Sequence, residues 1–336
     1  MNYTPFGSTG LQISPLVLGT GNFGTGWGYG ADAEASTAIF NAYADAGGNV
    51  IDTADVYQFG QSEELVGSLL QGRRENFVLA TKFTNGAEPD ANRLVTGNSR
   101  KAMVASVEAS LRRLNTDRID IYWAHHPDGV TPTEEILRGL DDLARAGKIL
   151  YVGLSNFPAW RLARAVTLAE VSRSIPVSAA QFEHSLVHRE PEADLFPASR
   201  ALGLGIVTWS PLGGGMLTGK YRSGQAGRAQ GFGGKVFQPE NSAQRTEILD
   251  TVLAVAGELG VSASQVAIAW AGTHGAVPII GPRTPAQLAD NLGALPLKLS
   301  AEQISRLDAV SAIAPVNTAR IPVTRNQAEL NAFPVA

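Results

Sequence analysis

Short apolar runs alternate with longer segments of helical spacing along most of this chain, and that alternation constrains its fold more than any other feature. The runs are Leu16–Gly19, Asn49–Asp52, Phe77–Lys82, Ile119–His125, Tyr151–Ser155, Ala179–Phe182, Gly205–Trp209 and Val277–Gly281. Most are continuously apolar, as strands covered on both faces must be. Helical periodicity follows at Ala33–Ala46, Glu63–Leu70, Lys101–Leu114, Glu134–Ala146, Ala159–Val171, Asp194–Ala201, Thr246–Leu259 and Ser264–Thr273. The boundaries carry start and stop signals. Ser262 with Gln265, and Ser300 with Gln303, have capping-box spacing, and Thr133 precedes Glu134 and Glu135 at a first turn. Gly47, Gly147 and Gly260 stand where helices should stop.

Strands that each lead into a helix predict an α/β fold, a (β/α)8 TIM barrel formed as one domain over residues 1–336. The segment Tyr3–Ser14, turning at Gly7-Ser8-Thr9-Gly10, predicts a hairpin cap laid over one end. An extra helix near Ala301–Val310 and an irregular tail complete the chain. The stretch 222–242 opens with Arg222–Lys235, rich in Gly, Arg and Gln and without periodicity, which suits a long loop of the kind that serves as a lid. The tail 314–336 has two readings, a cover for the pocket or a contact with a neighbour.

Composition narrows the function. There is no cysteine, so disulfides, thiolate metal sites and a Cys nucleophile are excluded. Net charge is -4 and no Lys/Arg cluster overrides it, so no nucleic-acid partner is expected. No signal peptide is recognisable, and no apolar run approaches the ~20 residues of a membrane helix. A cytoplasmic protein without a membrane partner is expected.

Barrel enzymes place their chemistry at the C-terminal ends of the strands. Those ends carry Asp52, Lys82, His125, Ser155 with Asn156, Gln181, and Trp209 with Ser210. Singly, a terminal Asp is a helix cap and a terminal Lys is solvated. Together, an acid, a base, an imidazole and an amide pair around one mouth are hard to explain by solubility.

The runs Ile51-Asp52-Thr53-Ala54-Asp55-Val56-Tyr57, Ala80-Thr81-Lys82-Phe83, Asp120-Ile121-Tyr122-Trp123-Ala124-His125, Val152-Gly153-Leu154-Ser155-Asn156-Phe157, Trp209-Ser210-Pro211-Leu212 and Pro278-Ile279-Ile280-Gly281-Pro282-Arg283 span nearly the whole chain. In this order they resemble the aldo-keto reductase superfamily. The resemblance implies an NADP-dependent oxidoreductase that interconverts a carbonyl and an alcohol, with a catalytic tetrad of Asp52, Tyr57, Lys82 and His125. The chemistry is consistent with that assignment. Hydride delivery leaves charge on the carbonyl oxygen, and a phenol with an ordinary pKa near ~10 is a poor acid unless an ammonium favours its phenolate. Lys82 would do this, Asp52 would hold Lys82 charged, and His125 would position the substrate oxygen.

The resemblance also implies the cofactor residues. Ser155, Asn156 and Gln181 would hold the nicotinamide carboxamide, and Trp209 would stack on the ring. Ser210, Pro211, Leu212, Gly215 and Lys220 would follow the pyrophosphate. Gly281, Arg283, Gln287 and Asn291 would hold the adenosine end, with Arg283 matched to a 2′-phosphate, so that NADPH is preferred over NADH. The run Gln181-Phe182-Glu183-His184 departs from the family, where an aromatic often follows the glutamine by two or three residues. The loop Gly24–Gly30, with Trp27 and Tyr29, is expected to line the pocket for a small-molecule substrate, together with His126.

Other motifs carry less. Gly19-Thr20-Gly21-Asn22-Phe23-Gly24 fits a dinucleotide fingerprint, but no helix opens at its third glycine, which a Rossmann dehydrogenase requires. Gly214–Lys220 approximates a Walker A loop whose next residue, Tyr221, lacks the small hydroxyl for Mg²⁺. The adjacent His125 and His126 face opposite ways in a strand, and Pro191 argues against a regular helix around His184 and His188, so no metal is assigned. Two alternatives to this reading remain: a non-catalytic NADP-binding, redox-sensing subunit and the Rossmann-type dehydrogenase.

Overall fold

The computed structural model describes residues 1–222, 224 and 237–313. Two short strands, β1 (Thr4–Pro5) and β2 (Gln12–Ile13), pair antiparallel as a hairpin. Eight parallel strands then close into a barrel: β3 (Val17–Gly19), β4 (Val50–Asp52), β5 (Val78–Phe83), β6 (Ile119–Ala124), β7 (Ile149–Ser155), β8 (Val177–Glu183), β9 (Gly205–Trp209) and β10 (Val277–Ile280). β10 pairs with both β3 and β9, which closes the ring. The closed ring rules out the Rossmann alternative. The Gly19–Gly24 loop supports this, since the next helix begins only at Ala33.

The helices are α1 (Ala33–Asp45), α2 (Gln61–Leu70), α3 (Arg100–Arg113), α4 (Thr133–Arg145), α5 (Ala159–Ser172), α6 (Leu195–Ala201), α7 (Ala243–Leu259), α8 (Ala263–Gly272), α9 (Pro285–Leu292) and α10 (Ala301–Val310). Both capping boxes form, at the starts of α8 and α10. Gly47, Gly147 and Gly260 take left-handed φ of 85°, 72° and 65° just past α1, α4 and α7, as helix-ending glycines do. Thr133 is the first residue of α4 rather than its cap; the cap position is Pro132, without a side-chain bond, and the Thr133 hydroxyl accepts from Arg161. The sequence reading has no element at α9. Thr284 caps that helix by accepting from the Gln287 amide, with Pro285 at its first position. At eight residues it shows too few turns for periodicity to register.

The core divides by strand parity. Leu16, Leu18, Ile51, Leu79 and Ile280 face outward against the helices, while Val17, Val50, Val78, Ile121, Val207 and Ile279 face into the barrel. Trp123 fills the interior, and a Cβ on Gly153 would come within 2.1 Å of its ring, so the neighbouring strand needs glycine there. Phe6 and Ile13 of the hairpin join this inner cluster and seal the N-terminal end. Among the described residues no single helix is long and apolar enough to cross a membrane. The lid assigned to 222–235 lies, except for Arg222 and Gly224, outside the described residues, and the tail 314–336 lies wholly outside them.

Candidate active site

Parity determines which side chains meet. In a strand, residues two apart share a face. Val50 faces inward, so Asp52 does; Val78 and Ala80 face inward, so Lys82 does. The same step leads from Ile121 and Trp123 to His125, from Ala179 to Gln181, and from Val207 to Trp209. His125 stands just past β6 instead of within it, so strand alternation does not extend to His126, and the two rings, expected to face opposite ways, stack on the same side. The last inward position of these strands is polar or aromatic, at one end of the barrel.

Lys82 is 1% exposed, and its ammonium has three partners. It is ion-paired with Asp52, donates to the Thr53 carbonyl at 2.9 Å, and donates to the Tyr57 hydroxyl at 3.1 Å. Burial by itself would lower its pKa, but the Asp52 carboxylate and then Tyr57 outweigh that and raise it above the ordinary lysine value. The Gln181 amide donates to the other Asp52 oxygen at 3.0 Å. Tyr57 follows β4 by five residues and faces His125 edge-on, ring centres 6.0 Å apart.

His125 is held neutral. Burial, then Lys82, then the stacked His126 push its pKa well below the usual histidine value. The Asn85 amide nitrogen, which can only donate, lies 3.2 Å from His125 Nδ1. With the Asn85 amide in this orientation that nitrogen accepts, an assignment that leaves the ring proton on Nε2. A neutral imidazole with an outward N–H can donate a hydrogen bond to a carbonyl oxygen. Asn85 is absent from the sequence reading, although it lies only two residues beyond β5.

Asp52, Tyr57 and His125 line the floor of a cavity of about 920 Å³. Its wall includes Trp27, Tyr29, His126, Asn156, Gln181 and Trp209. It continues past Ser210, Pro211, Leu212, Gly215 and Lys220 to Gly281, Arg283, Gln287 and Asn291. Every residue expected from the sequence to face the ligands lines it except two. Lys82 is behind Asp52 and Tyr57. Ser155 is fully buried behind Asn156, whose amide donates to the Ser155 hydroxyl at 3.1 Å and to the His125 carbonyl at 2.9 Å. Asn156 also accepts from the Trp209 indole at 3.1 Å, which fixes the indole plane at the cavity wall.

The far end of the cavity suits an anionic cofactor. Burial, then the charge of Arg283, lower the pKa of Lys220, so two cations share this region. Gly214 and Gly215 take φ of 62° and 94°, and a Cβ on Gly215 would approach the Lys220 ammonium to 2.8 Å. Bare backbone with left-handed glycines beside a lysine makes a cradle that a phosphate can enter. The segment forms a 3-10 turn, Gly213–Thr218, with no α-helix directly after it, unlike a Walker A loop. Arg283 also stacks on Tyr29, its guanidinium carbon 4.4 Å from the ring centre.

Sequence reasoning missed two further groups. The first is Gln58, which is fully buried and has a left-handed backbone. Its amide donates to the carbonyls of Gly21 and Tyr29, both at 3.0 Å, and accepts from the Trp27 amide at 2.9 Å. Nothing in its residue type signals this, because glycine is the usual occupant of such a conformation. The second is Asp55, buried beside Glu63, with its carboxyl pushed up to about 7 by burial and then by that neighbour.

Among the described residues one potential metal group occurs: His184, Glu192 and His274, with ligand atoms within 4.8 Å of one another. Arg189 already holds both Glu192 oxygens, at 2.8 and 2.7 Å, and His184 bonds the first of them at 2.7 Å. A guanidinium thus matches the carboxylate's charge, which makes this an ion-pair knot, and none of its members lines the cavity.

Comparison with known proteins agrees with the barrel. The chain is 37% identical to an uncharacterized oxidoreductase, YrpG, of Bacillus subtilis, over 92% of this chain and 95% of that protein. It is 34% identical to an aryl-alcohol dehydrogenase [NADP(+)] of Phanerodontia chrysosporium, over 89% of this chain and 83% of the relative. It is 34% identical to a norsolorinic acid reductase of Aspergillus flavus, over 90% and 78% respectively. Residues 15–312 match the pattern described as the Aldo/keto reductase family, and with that match over nearly the whole barrel this chain belongs to that family of oxidoreductases.

Proposed function

We propose that this protein is an NADPH-dependent reductase of aryl or similarly apolar carbonyls, with Tyr57 as the proton donor. The observation that carries the reading is the Tyr57 hydroxyl, 3.1 Å from a buried ammonium at the cavity floor. Asn156, Gln181 and Trp209 would hold a reduced nicotinamide, which would supply the hydride. The substrate oxygen lies between Tyr57 and the Nε2–H of His125. As the carbonyl carbon gains hydride, the oxygen takes the Tyr57 proton, so the C=O double bond becomes C–H and O–H. The Lys82 ammonium stabilises the phenolate left behind, and Asp52 with Gln181 holds that ammonium in place. Because His125 is neutral and accepts from Asn85 on Nδ1, it donates a hydrogen bond without competing as the acid.

The wall supports the substrate class. The Trp27 ring meets Tyr57 and Phe59 edge-on at 6.2 and 6.3 Å, and the His125 and His126 rings stack at 4.4 Å. A flat apolar substrate fits such a surface. The aryl-alcohol dehydrogenase named among the relatives is consistent with it.

Loss of NADPH absorbance with aryl aldehydes, aliphatic aldehydes and aldose sugars tests the proposal. We expect turnover with the aryl set, weaker turnover with the others, and NADPH favoured over NADH. Tight NADPH binding without turnover on any carbonyl would overturn the reading in favour of the non-catalytic subunit.

A further inference from the structure

Residues Gly21–Gly30 form a loop with little internal structure. It is bonded to two glutamines that follow the catalytic tyrosine. Gln61 Oε1 accepts from the amides of Thr25 and Gly26 at 3.0 and 3.1 Å. Gln58 takes the amide of Trp27 and the carbonyls of Gly21 and Tyr29, using every donor and one acceptor of its amide. The fit is close. A Cβ on Gly26 would come within 2.5 Å of the Gln58 carbonyl oxygen, and one on Gly24 within 2.9 Å of Gln61 Oε1.

The backbone adopts a costly shape to allow this. Gln58, Phe59 and Gly60 have successive φ of 53°, 56° and 86°. Two side-chain-bearing residues in the left-handed region are strained, and such strain persists only where surrounding contacts over-determine it. The contacts here are those of the Gln58 amide. What the clamp holds in place is Tyr29, whose ring centre lies 4.4 Å from the guanidinium carbon of Arg283 above it. Asn22, in the same loop, donates to the Gly281 carbonyl at 2.7 Å and ties the loop to the Arg283 segment a second time.

We propose that Gln58 is a positioning residue that, through Tyr29, presents the Arg283 guanidinium edge-on to the cofactor and so sets the preference for a 2′-phosphate. The inference rests on the reading of Arg283 as the partner of that phosphate. A guanidinium stacked on a ring keeps its in-plane N–H groups directed sideways, where they match phosphate oxygens; without the ring the side chain samples many rotamers. The loop that frames the substrate and the residue that reads the cofactor are then one device, anchored one residue from the proton donor.

The test is equilibrium binding of NADPH and NADH to the full chain, followed by tryptophan fluorescence. Tyr29→Ala is expected to weaken NADPH about tenfold and NADH about twofold or less, within the range of a stacked cation. Tyr29→Phe keeps the ring and is expected to keep the NADPH/NADH ratio. Gln58→Gly, which relaxes the backbone and removes the clamp, is expected to lower the ratio as Tyr29→Ala does. The double variant should fall no further than Tyr29→Ala alone, because Gln58 acts through that ring. If Arg283→Ala abolishes the preference while the Tyr29 and Gln58 variants keep it, the inference fails and the reading of Arg283 stands. If Arg283→Ala leaves the preference intact, the reading of Arg283 itself fails. A double variant whose losses simply add would also refute the route through Tyr29.

Discussion

Removing the charge of Lys82 while leaving Asp52 in place separates the structural role of this pair from its chemical one. In Lys82→Met the stem stays and the ammonium goes. Asp52, 2% exposed, then keeps the Gln181 amide at 3.0 Å as its remaining side-chain partner. Leaving one member of a buried pair uncompensated costs about 3–5 kcal/mol. At about 2.1 cal/mol/K of unfolding entropy per residue, each kilocalorie lowers the melting temperature of a 336-residue chain by roughly 1.4 °C, so a fall of about 4–7 °C is expected. The folded-state pKa of Lys82 lies above its ordinary value, so the stabilisation linked to its proton is fully present below the unfolded pKa of 10.5 and is lost only as the pH rises through the folded value. Melts near neutral pH therefore compare charge with no charge, free of its titration. Turnover should drop by about 10²–10⁴, the usual contribution of a placed proton donor, because the phenolate of Tyr57 loses its counter-ion. The informative variant is Asp52→Asn/Lys82→Met. With both charges gone, most of the lost stability should return while turnover stays low. Melting by circular dichroism and steady-state NADPH oxidation measure the two effects. A Lys82→Met protein that melts with the wild type, or a double variant that regains turnover, would refute the reasoning.

Other consequences follow from the same geometry. Burial and Glu63 raise the Asp55 carboxyl to about 7, against 3.8 for the ordinary group. A raised acid favours the folded state while protonated, so its contribution is full below pH 3.8 and is lost as the pH climbs to about 7. Asp55→Asn, which does not titrate, should therefore melt higher than the wild type at pH 8, with the difference shrinking toward pH 4; a constant difference would contradict this. Trp27→Ala removes the aromatic wall beside Tyr57 and should raise KM for aryl aldehydes about tenfold with a smaller change for short aliphatic ones, since an aromatic contact is worth about 0.5–1.5 kcal/mol beyond its area; equal changes for both would argue against the aryl preference.

The sequence contained the barrel because a parallel strand buried on both faces leaves a continuous apolar run, and the chain repeats that run eight times. The floor of the cavity was legible for a related reason. The period of two that directs Val50 and Val78 inward directs Asp52 and Lys82 inward as well. Strand ends were less certain, as His125 shows by standing just beyond β6, and α9 escaped because its signal was a cap and a proline with no periodicity behind it. Loop contacts were not legible at all. Gln58 adopts a conformation its residue type disfavours, and only the three backbone groups it satisfies explain why it is there. Ser155 was expected to meet the cofactor beside Asn156, but it is inward enough to lie behind it, a distinction of depth that periodicity does not encode.

The account depends on the phenol of Tyr57 as the source of the proton. The most direct measurement is single-turnover reduction of an aryl aldehyde by Tyr57→Phe preloaded with NADPH, with cofactor affinity measured on the same protein. We predict NADPH binding within about twofold of the wild type and a rate constant for the chemical step lower by about 10²–10⁴. A rate constant near the wild-type value, with the cofactor bound, would show that the proton comes from elsewhere.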